Sequence, residues 1–343
     1  MNSIIMTKTQ TNRCIILARR PAGIPQATDF EIQDRAIPAL PEGGFLVRNL
    51  YLSVDPAQRG WASSEANYAA PVPLGEVMRA LTVGVVVQSR AADVPVGQAL
   101  YGWFGWQEHC IAGPDQIIRK ISDTDLPLSA NASLLGINGL TACLALTELG
   151  RPRQGDTLLV STAAGSVGGF VGQIGRILGC RTLGLTGDDD KVARCTARFG
   201  YDAAWNYRSC DLEAVLAEQG PLDVFYDNVG GATLDTALRH MRLGGRVIQC
   251  GTASVASWSP APQGPRVERE VLTRRLTWSG FVIFDHAARF DEAAQRLVDW
   301  WREGRLVYDE DISDGLEAAP GAIAALYAGE NHGKKLIRLD AAL

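Results

Sequence analysis

The sequence predicts an α/β protein in two parts, with a Rossmann-like, doubly wound parallel sheet in the middle of the chain and a small β-rich, barrel-like domain. Three observations predict it. At 343 residues the chain exceeds the size at which one hydrophobic core usually stops growing. Near residue 138 short apolar runs broken by Gly and Pro give way to strands alternating with helices. The segment LLVSTAAGSVGGFVGQIGRIL (158–178) reads as a buried strand, a turn of small residues and a helix.

In the N-terminal part the runs CIILA (14–18), FLVRNLYLSVD (45–55), TVGVVVQS (82–89), QALYGWF (98–104), EHCIAG (108–113) and QIIRKI (116–121) read as strands. Thr157 to Val160 is then a buried strand, after which Phe170, Val171, Ile174, Ile177 and Leu178 recur at helical spacing. Further strands are expected at Thr182 to Thr186, Asp223 to Asp227, Arg246 to Gly251 and Leu276 to Val282. A later helix carries Phe290, Ala294, Leu297, Val298 and Trp301 on one face. Each parallel crossover needs a helix to return the chain, so this sheet must be covered on both faces. LVYDEDI (306–312) and KKLIRLD (334–340) are strand-like and expected to rejoin the N-terminal domain. The expected division is 1–135 with 305–343 for the barrel domain and 136–304 for the doubly wound domain.

A net charge of -5, with 46% hydrophobic and 21% charged residues, is ordinary globular composition. It offers no basic face for nucleic acid or anionic lipid, and suits a small neutral or apolar substrate. The first twelve residues hold only the apolar run Ile4 to Met6 before Lys8, too short for a signal peptide. No stretch approaches the ~20 apolar residues that span a bilayer. Seven scattered cysteines, at Cys14, Cys110, Cys143, Cys180, Cys195, Cys210 and Cys250, argue against a secreted disulfide framework. The expected location is cytoplasmic.

Ala163, Gly165 and Gly168 occupy the three glycine positions of G-x-G-x-x-G, the first as alanine. Gly165 lets backbone approach a pyrophosphate and Gly168 lets helix pack on strand, while the helix N-terminus supplies free N–H groups and positive dipole. An NAD enzyme places a carboxylate at the end of the second strand to hold the ribose 2′-hydroxyl. Thr186 and Gly187 stand there instead, with Lys191 one turn on, so a 2′-phosphate is accommodated. The same residues, Asp188 to Lys191, also read as a helix start with acids at its positive end. Zinc needs clustered Cys, His or carboxylate ligands, yet the chain has no C-x-x-C and only four histidines. His109 and Cys110, adjacent on a strand, point to opposite faces.

YLSVDPAQRG (51–60), LGEVMRALTVG (74–84), GINGLTACLAL (136–146), STAAGSVGGFVGQIGRILGC (161–180), VFYDNVGG (224–231), RVIQCGTAS (246–254) and GENHGKKLI (329–337) follow in order over nearly the whole chain. Together they resemble the leukotriene hydroxydehydrogenase, prostaglandin reductase and alkenal double-bond reductase branch of the medium-chain dehydrogenase/reductases. YAAPVPLGEVMRA (68–80) is most similar to the bacterial members called curcumin reductases. The resemblance implies a GroES-like β-barrel domain beside a Rossmann domain. It also implies a metal-free homodimer that uses NADPH to reduce the carbon–carbon double bond of enals and enones. It places Gly165, Ser166, Val167 and Gly168 at the pyrophosphate, Lys191 at the 2′-phosphate, and Phe281, Val282 and Ile283 near the nicotinamide. Tyr207, Asn228, Cys250, Gly251, Thr252, Ser254 and Asn331 complete the cofactor set. Composition alone would read Tyr207 as a cap on the sheet edge and Phe281 as core.

Tyr51, Arg59, Tyr68, Trp258 and Phe284 are the implied substrate pocket, with Tyr68 and the nicotinamide ribose 2′-hydroxyl as the candidate donors to the developing enolate oxygen; the bland reading of Tyr68 is a surface aromatic in the EANYAAP loop (65–71). The chain departs from the family pattern at Ala57, Ala256 and Phe284, where relatives carry tyrosines. Losing three hydroxyls makes the pocket more apolar. The alternatives are an NADPH quinone reductase, which shares the AAGSVG type of turn, and a non-catalytic NADPH-binding protein.

Overall fold

The computed structural model describes residues 11–65, 67–122, 125–255 and 260–339. It divides into two compact units. One comprises the chain up to Ala132, Ile312–Ala328 and the segment from Lys335 onward; the other comprises Ser133–Asp311 and Gly329–Lys334.

The first unit carries β1 (Thr11–Leu17), β2 (Phe30–Ala36), β3 (Phe45–Ser53), helix α1 (Ala57–Ala62), β4 (Thr82–Ser89), β5 (Ala99–Gly102), β6 (His109–Ala112) and β7 (Ile117–Lys120). β3 is the hub, pairing antiparallel with both β4 and β6. All six expected strands of this part form. β2 escapes sequence reading because FEIQDRA buries only Phe30, leaving no apolar run or clean alternation to detect. Along β6 half-buried and buried residues alternate, so His109 and Cys110 do face opposite sides. Burial pushes the Cys110 thiol up to about 12, and burial together with Arg48 lowers His109. The core gathers Ile15, Leu17, Leu52, Trp61 and Trp106 with Ile323 and Ile337 from the end of the chain.

The second unit begins with α2 (Ile137–Ala145) and continues β8 (Thr157–Ser161), α3 (Gly168–Ile177), β9 (Arg181–Thr186), α4 (Asp189–Ala197), β10 (Ala203–Asn206), α5 (Leu212–Gln219) and β11 (Leu222–Asp227). It proceeds through α6 (Gly231–Arg239), β12 (Met241–Gln249), α7 (Glu268–Arg274), β13 (Thr277–Gly280) and α8 (Phe290–Arg302). The strands form one parallel sheet in the order β10-β9-β8-β11-β12-β13. This is a Rossmann sheet, with its reversal of winding between β8 and β11. β10 is a further strand unseen in the sequence, four half-buried residues too short to carry a period.

The chain ends with β14 (Glu310–Asp314), α9 (Ala319–Ala328) and β15 (Lys334–Arg338), and β15 pairs antiparallel with β3 as expected for the returning segment. The observed division differs from the expected one at residues 133–135, 305–311 and 329–334, which stand with the Rossmann unit. Bonds to that unit explain the two later segments. Gln173 on α3 donates to the Val307 carbonyl at 2.9 Å and accepts from its N–H at 2.8 Å. Asp309 accepts from Arg194 and Arg198 at 2.6 and 3.0 Å, and Gly333 forms a β-bridge with Gly165. Among the described residues no helix is long and apolar enough to cross a membrane.

Candidate dinucleotide site

Ligands of open α/β sheets bind beyond the carboxyl ends of the strands, at the point where the strand order reverses. Here that point lies between the ends of β8 and β11. The turn after β8 begins at Thr162, a β-branched residue at φ 50°, a left-handed conformation that stores about 1–3 kcal/mol of strain. The Thr162 carbonyl accepts from the Gly165 N–H at 2.8 Å and folds the turn back on itself. A Cβ at Gly168 would collide with that carbonyl oxygen and lie 2.9 Å from Ala163 Cα. Only glycine fits, as its place in the fingerprint requires. The alanine at the first position is accommodated from the neighbouring strand, since a side chain at Gly184 would meet the Ala163 methyl at 2.9 Å. The Tyr201 hydroxyl donates to the Gly168 carbonyl at 2.7 Å and pins the start of α3. The N–H groups of Ser166 and Val167 find no acceptor among the described residues, which leaves a cradle of donors at a positive helix end suited to a pyrophosphate.

Asn228 spans the reversal itself. Its N–H donates to the Ser161 hydroxyl and its side-chain amide to the Ser161 carbonyl, both at 2.8 Å. Beneath it the fully buried Asp227 accepts from the Ser161 hydroxyl, the Val229 N–H, the Gly230 N–H and the Gln249 side chain at 2.8–2.9 Å. Burial raises the Asp227 carboxyl, against the pull of those donors. Gly230 and Gly231 follow at φ 70° and 58°, where a side chain would be strained. The loop after β12 closes on this one: Cys250 and Gly251 donate to the Asp227 carbonyl, Ala253 to Asn228 and Ser254 to Val229. Burial raises the Cys250 thiol to about 11, and the Tyr226 hydroxyl donates to it at 3.4 Å. A neutral thiol there is no nucleophile. Thr252 lies between these bonded residues of the loop. Phe281 donates its N–H to Gln249 and stacks on His286 at 4.6 Å, so it is buried as core; Val282 and Ile283 lead into the next helical turn.

At the end of β9 the helix-start reading of Asp188 to Lys191 is realised. Asp188 caps α4 by accepting from the Lys191 N–H at 2.7 Å. The Lys191 ammonium, largely covered, donates to the Gly329 carbonyl and stands 3.7 Å from the Asp188 carboxylate. Its remaining donor capacity is open to a phosphate. A side chain at Gly187 would begin 3.3 Å from the Tyr207 hydroxyl and 3.4 Å from Arg208 Nε, so both lie over the strand end. Asn331, in the segment tied to the cradle through Gly333, donates to the Gly333 carbonyl. Sequence reasoning missed Thr162, Ser161, Asp227 and Arg208; Arg208 was readable as the cation after Tyr207.

Lys191→Ala should weaken NADPH by about tenfold and NADH far less, since only NADPH brings the phosphate an ammonium can pair with. Parallel fluorescence titrations decide it. Equal losses would assign the lysine to its bond with Gly329 alone.

Of the implied pocket residues, Tyr51, Arg59 and Tyr68 belong to the first unit and Phe284 to the second. Trp258, with Ala256, lies outside the described residues. Tyr51 is on β3, and Arg59 on α1 stacks over the Tyr327 ring at 4.8 Å. Tyr68 is 54% exposed in the loop after α1. Arg79 stands near it, lowered by burial and raised by the phenol, and lies over the Trp61 ring at 5.8 Å. Among the described residues no group of three or more His, Cys, Asp or Glu is placed to hold a metal ion.

The fold and the cradle define a Rossmann-type dinucleotide-binding protein, and its relatives make it an oxidoreductase. Two family models match the chain: one described as the N-terminal domain of oxidoreductase, over residues 13–120, and one described as a zinc-binding dehydrogenase, over 166–299. The NADPH-dependent curcumin reductase of Escherichia coli (strain K12) is 36% identical over 337 residues, 96% of this chain and 97% of that protein. The 2-alkenal reductase (NADP(+)-dependent) of Nicotiana tabacum is 34% identical over 342 residues, 98% of this chain and 99% of that one. The crystal structure of CurA in complex with NADPH from Vibrio vulnificus superposes with a TM-score of 0.90 at 34% identity, covering 96% and 99% of the two chains. The chain belongs to the medium-chain dehydrogenase/reductase family, in the branch that contains the curcumin, 2-alkenal and prostaglandin reductases.

Proposed function

We propose that this protein reduces the carbon–carbon double bond of α,β-unsaturated ketones and aldehydes with NADPH and without a metal. The observation that carries the cofactor is the end of β9. Thr186 and Gly187 replace the acidic ribose ligand of NAD enzymes, and Lys191, Tyr207 and Arg208 surround the place. The substrate class follows from relatives more than 30% identical over nearly the whole chain and named for curcumin, 2-alkenals and pulegone.

When bound, NADPH would supply a hydride to the substrate's β-carbon, with solvent delivering the proton to the α-carbon. The chain's own part is to hold the pyrophosphate on the Ser166 and Val167 N–H groups and to keep the loops 228–231 and 250–254 closed through Asp227. It also donates to the carbonyl oxygen, where negative charge grows as an enolate forms. Tyr68 is the phenol read for that role, and it stands beside Arg79 in the exposed loop after α1. Tyr68→Phe should lower kcat and kcat/KM together by about tenfold or more, below the ~10²–10³ seen for a sole oxyanion donor, with NADPH affinity unchanged. Full kcat in that variant would return Tyr68 to the loop surface.

The deciding assay is NADPH consumption across an enone, an enal and a simple quinone, with and without chelator, beside elemental analysis for zinc. Turnover of the quinone alone would favour a quinone reductase. NADPH binding without turnover would favour a non-catalytic binding protein. A second copy of the chain is the fitting partner, because β13 ends the sheet with Trp278 39% exposed, and an open edge strand invites symmetric pairing. Light scattering should give a dimer mass at micromolar concentration; a monomer mass would sink this.

A further inference from the structure

Asn138, the second residue of α2, is only 5% exposed, yet among the described residues its side chain makes a single hydrogen bond. Its Nδ2 donates to the Ser166 hydroxyl oxygen at 3.2 Å, while its buried Oδ1 has no hydrogen-bond partner among the described residues. An amide with one end unsatisfied is a poor stabiliser of a core, and leucine, of nearly the same shape, would spare the unpaired oxygen. Stability therefore does not account for an amide here. What the amide does is occupy an acceptor site on Ser166.

A serine hydroxyl has one proton to donate and two lone pairs to accept with. With an N–H donated into one lone pair, the hydroxyl rotor turns its own proton away from Asn138. Ser166 stands in the cradle, beside the unpartnered N–H of Val167 and directly before the N-terminus of α3. Its Oγ makes no other hydrogen bond among the described residues.

We propose that Asn138 is a positioning residue for the cofactor. By donating to Ser166 it sets the hydroxyl proton toward the pyrophosphate, adding a side-chain donor to the backbone donors of the turn. The inference rests on the NADPH reading of the cradle and names how one of its donors is oriented. The signature is a side chain that costs the free protein stability and gives the complex affinity.

The test is a double-mutant cycle on NADPH affinity, measured by fluorescence titration with the full chain, beside the thermal midpoint of the cofactor-free protein. Asn138→Leu should weaken NADPH by about three- to tenfold, less than the full worth of a hydrogen bond to a charged group because the Ser166 hydroxyl stays and only its orientation is lost, while its midpoint stays level or rises. Ser166→Ala should weaken NADPH at least as much, and the double variant no further than Ser166→Ala alone. Adenosine 2′-phosphate, which has no pyrophosphate, should bind all four proteins equally. Asn138→Ala provides a second variant in case leucine packs badly, and it should show the same affinity loss. Additive losses, or a fall in midpoint with affinity unchanged, would overturn the proposal and make Asn138 a purely structural residue. Wild-type protein that binds neither NADPH nor adenosine 2′-phosphate would overturn the cofactor reading beneath it, a result distinct from either.

Discussion

Gly168→Ala is expected to weaken NADPH by about 10²–10³-fold while the first unit stays folded. The added methyl would fall against the Thr162 carbonyl oxygen and 2.9 Å from Ala163 Cα, both backbone atoms that no rotamer change can move aside. Either α3 is pushed off β8 or the turn opens. Opening breaks the Gly165 to Thr162 bond and spreads the Ser166 and Val167 N–H groups that converge on one anion. Overpacking of this kind costs ~1–3 kcal/mol, and each charge-assisted hydrogen bond lost costs ~1.5–3 kcal/mol, so about 3–4 kcal/mol is a fair sum. Two neighbours calibrate it. At Gly165 the nearest atom to a new methyl is 3.1 Å away, and at Gly169 it is the Phe199 ring edge at 3.3 Å. Alanine should cost about tenfold at Gly165 and little at Gly169. Calorimetric titration of the three variants would check the ranking, and a Gly168→Ala protein with native affinity would show that the turn yields at no cost.

The parts of this molecule that were legible in the sequence are those where one physical demand dominates a run of residues. The fingerprint of 163–168 was readable because close approach excludes side chains, and the parallel strands because burial on both faces makes them continuously apolar. β2 and β10 were not readable, since FEIQDRA and AAWN are half-exposed edge pieces whose residues obey no period. The placement of 305–311 and 329–334 was hidden for another reason. It depends on Gln173, Arg194 and Arg198 reaching residues over a hundred positions away, and long-range polar bonds leave no local pattern. The same holds in the site. Asn228 could be found from Asp-Asn-Val-Gly-Gly at a strand end, but that Asp227 is the anchor of both loops became visible only with its four donors. Arg79 beside Tyr68 and the Asn138 bond to Ser166 are likewise tertiary facts. The substrate side remains the least determined by sequence, because three of the tyrosines expected of relatives are Ala57, Ala256 and Phe284 here.

Asp227→Ala should be the most destabilising single change in the site, and it should remove cofactor binding as a consequence. The carboxylate is fully buried and accepts at least one hydrogen bond from each of four groups, two of them backbone N–H groups of Val229 and Gly230. Alanine leaves those donors facing a small cavity. Buried donors without acceptors cost ~1–3 kcal/mol each, and about 3–5 kcal/mol remains after the Ser161 hydroxyl and the Gln249 side chain find other partners. For a unit of this size the midpoint should fall by roughly 8–15 °C. Asparagine keeps one acceptor oxygen but turns an amide N–H pair toward the remaining donors, so Asp227→Asn should lose less than alanine but more than a surface substitution. The second consequence is local. With the Asp227 carboxylate gone, the Val229 and Gly230 N–H groups lose the acceptor that fixes the left-handed Gly230–Gly231 turn, and the bonds from Ala253 and Ser254 to the 228–229 carbonyls lose their support. Hydrogen exchange should then speed up together in 228–231 and 250–254 while β8 and β9 stay protected. Exchange confined to one of the two loops, or NADPH binding retained in the alanine variant, would show that the loops are held independently and that Asp227 anchors only its own.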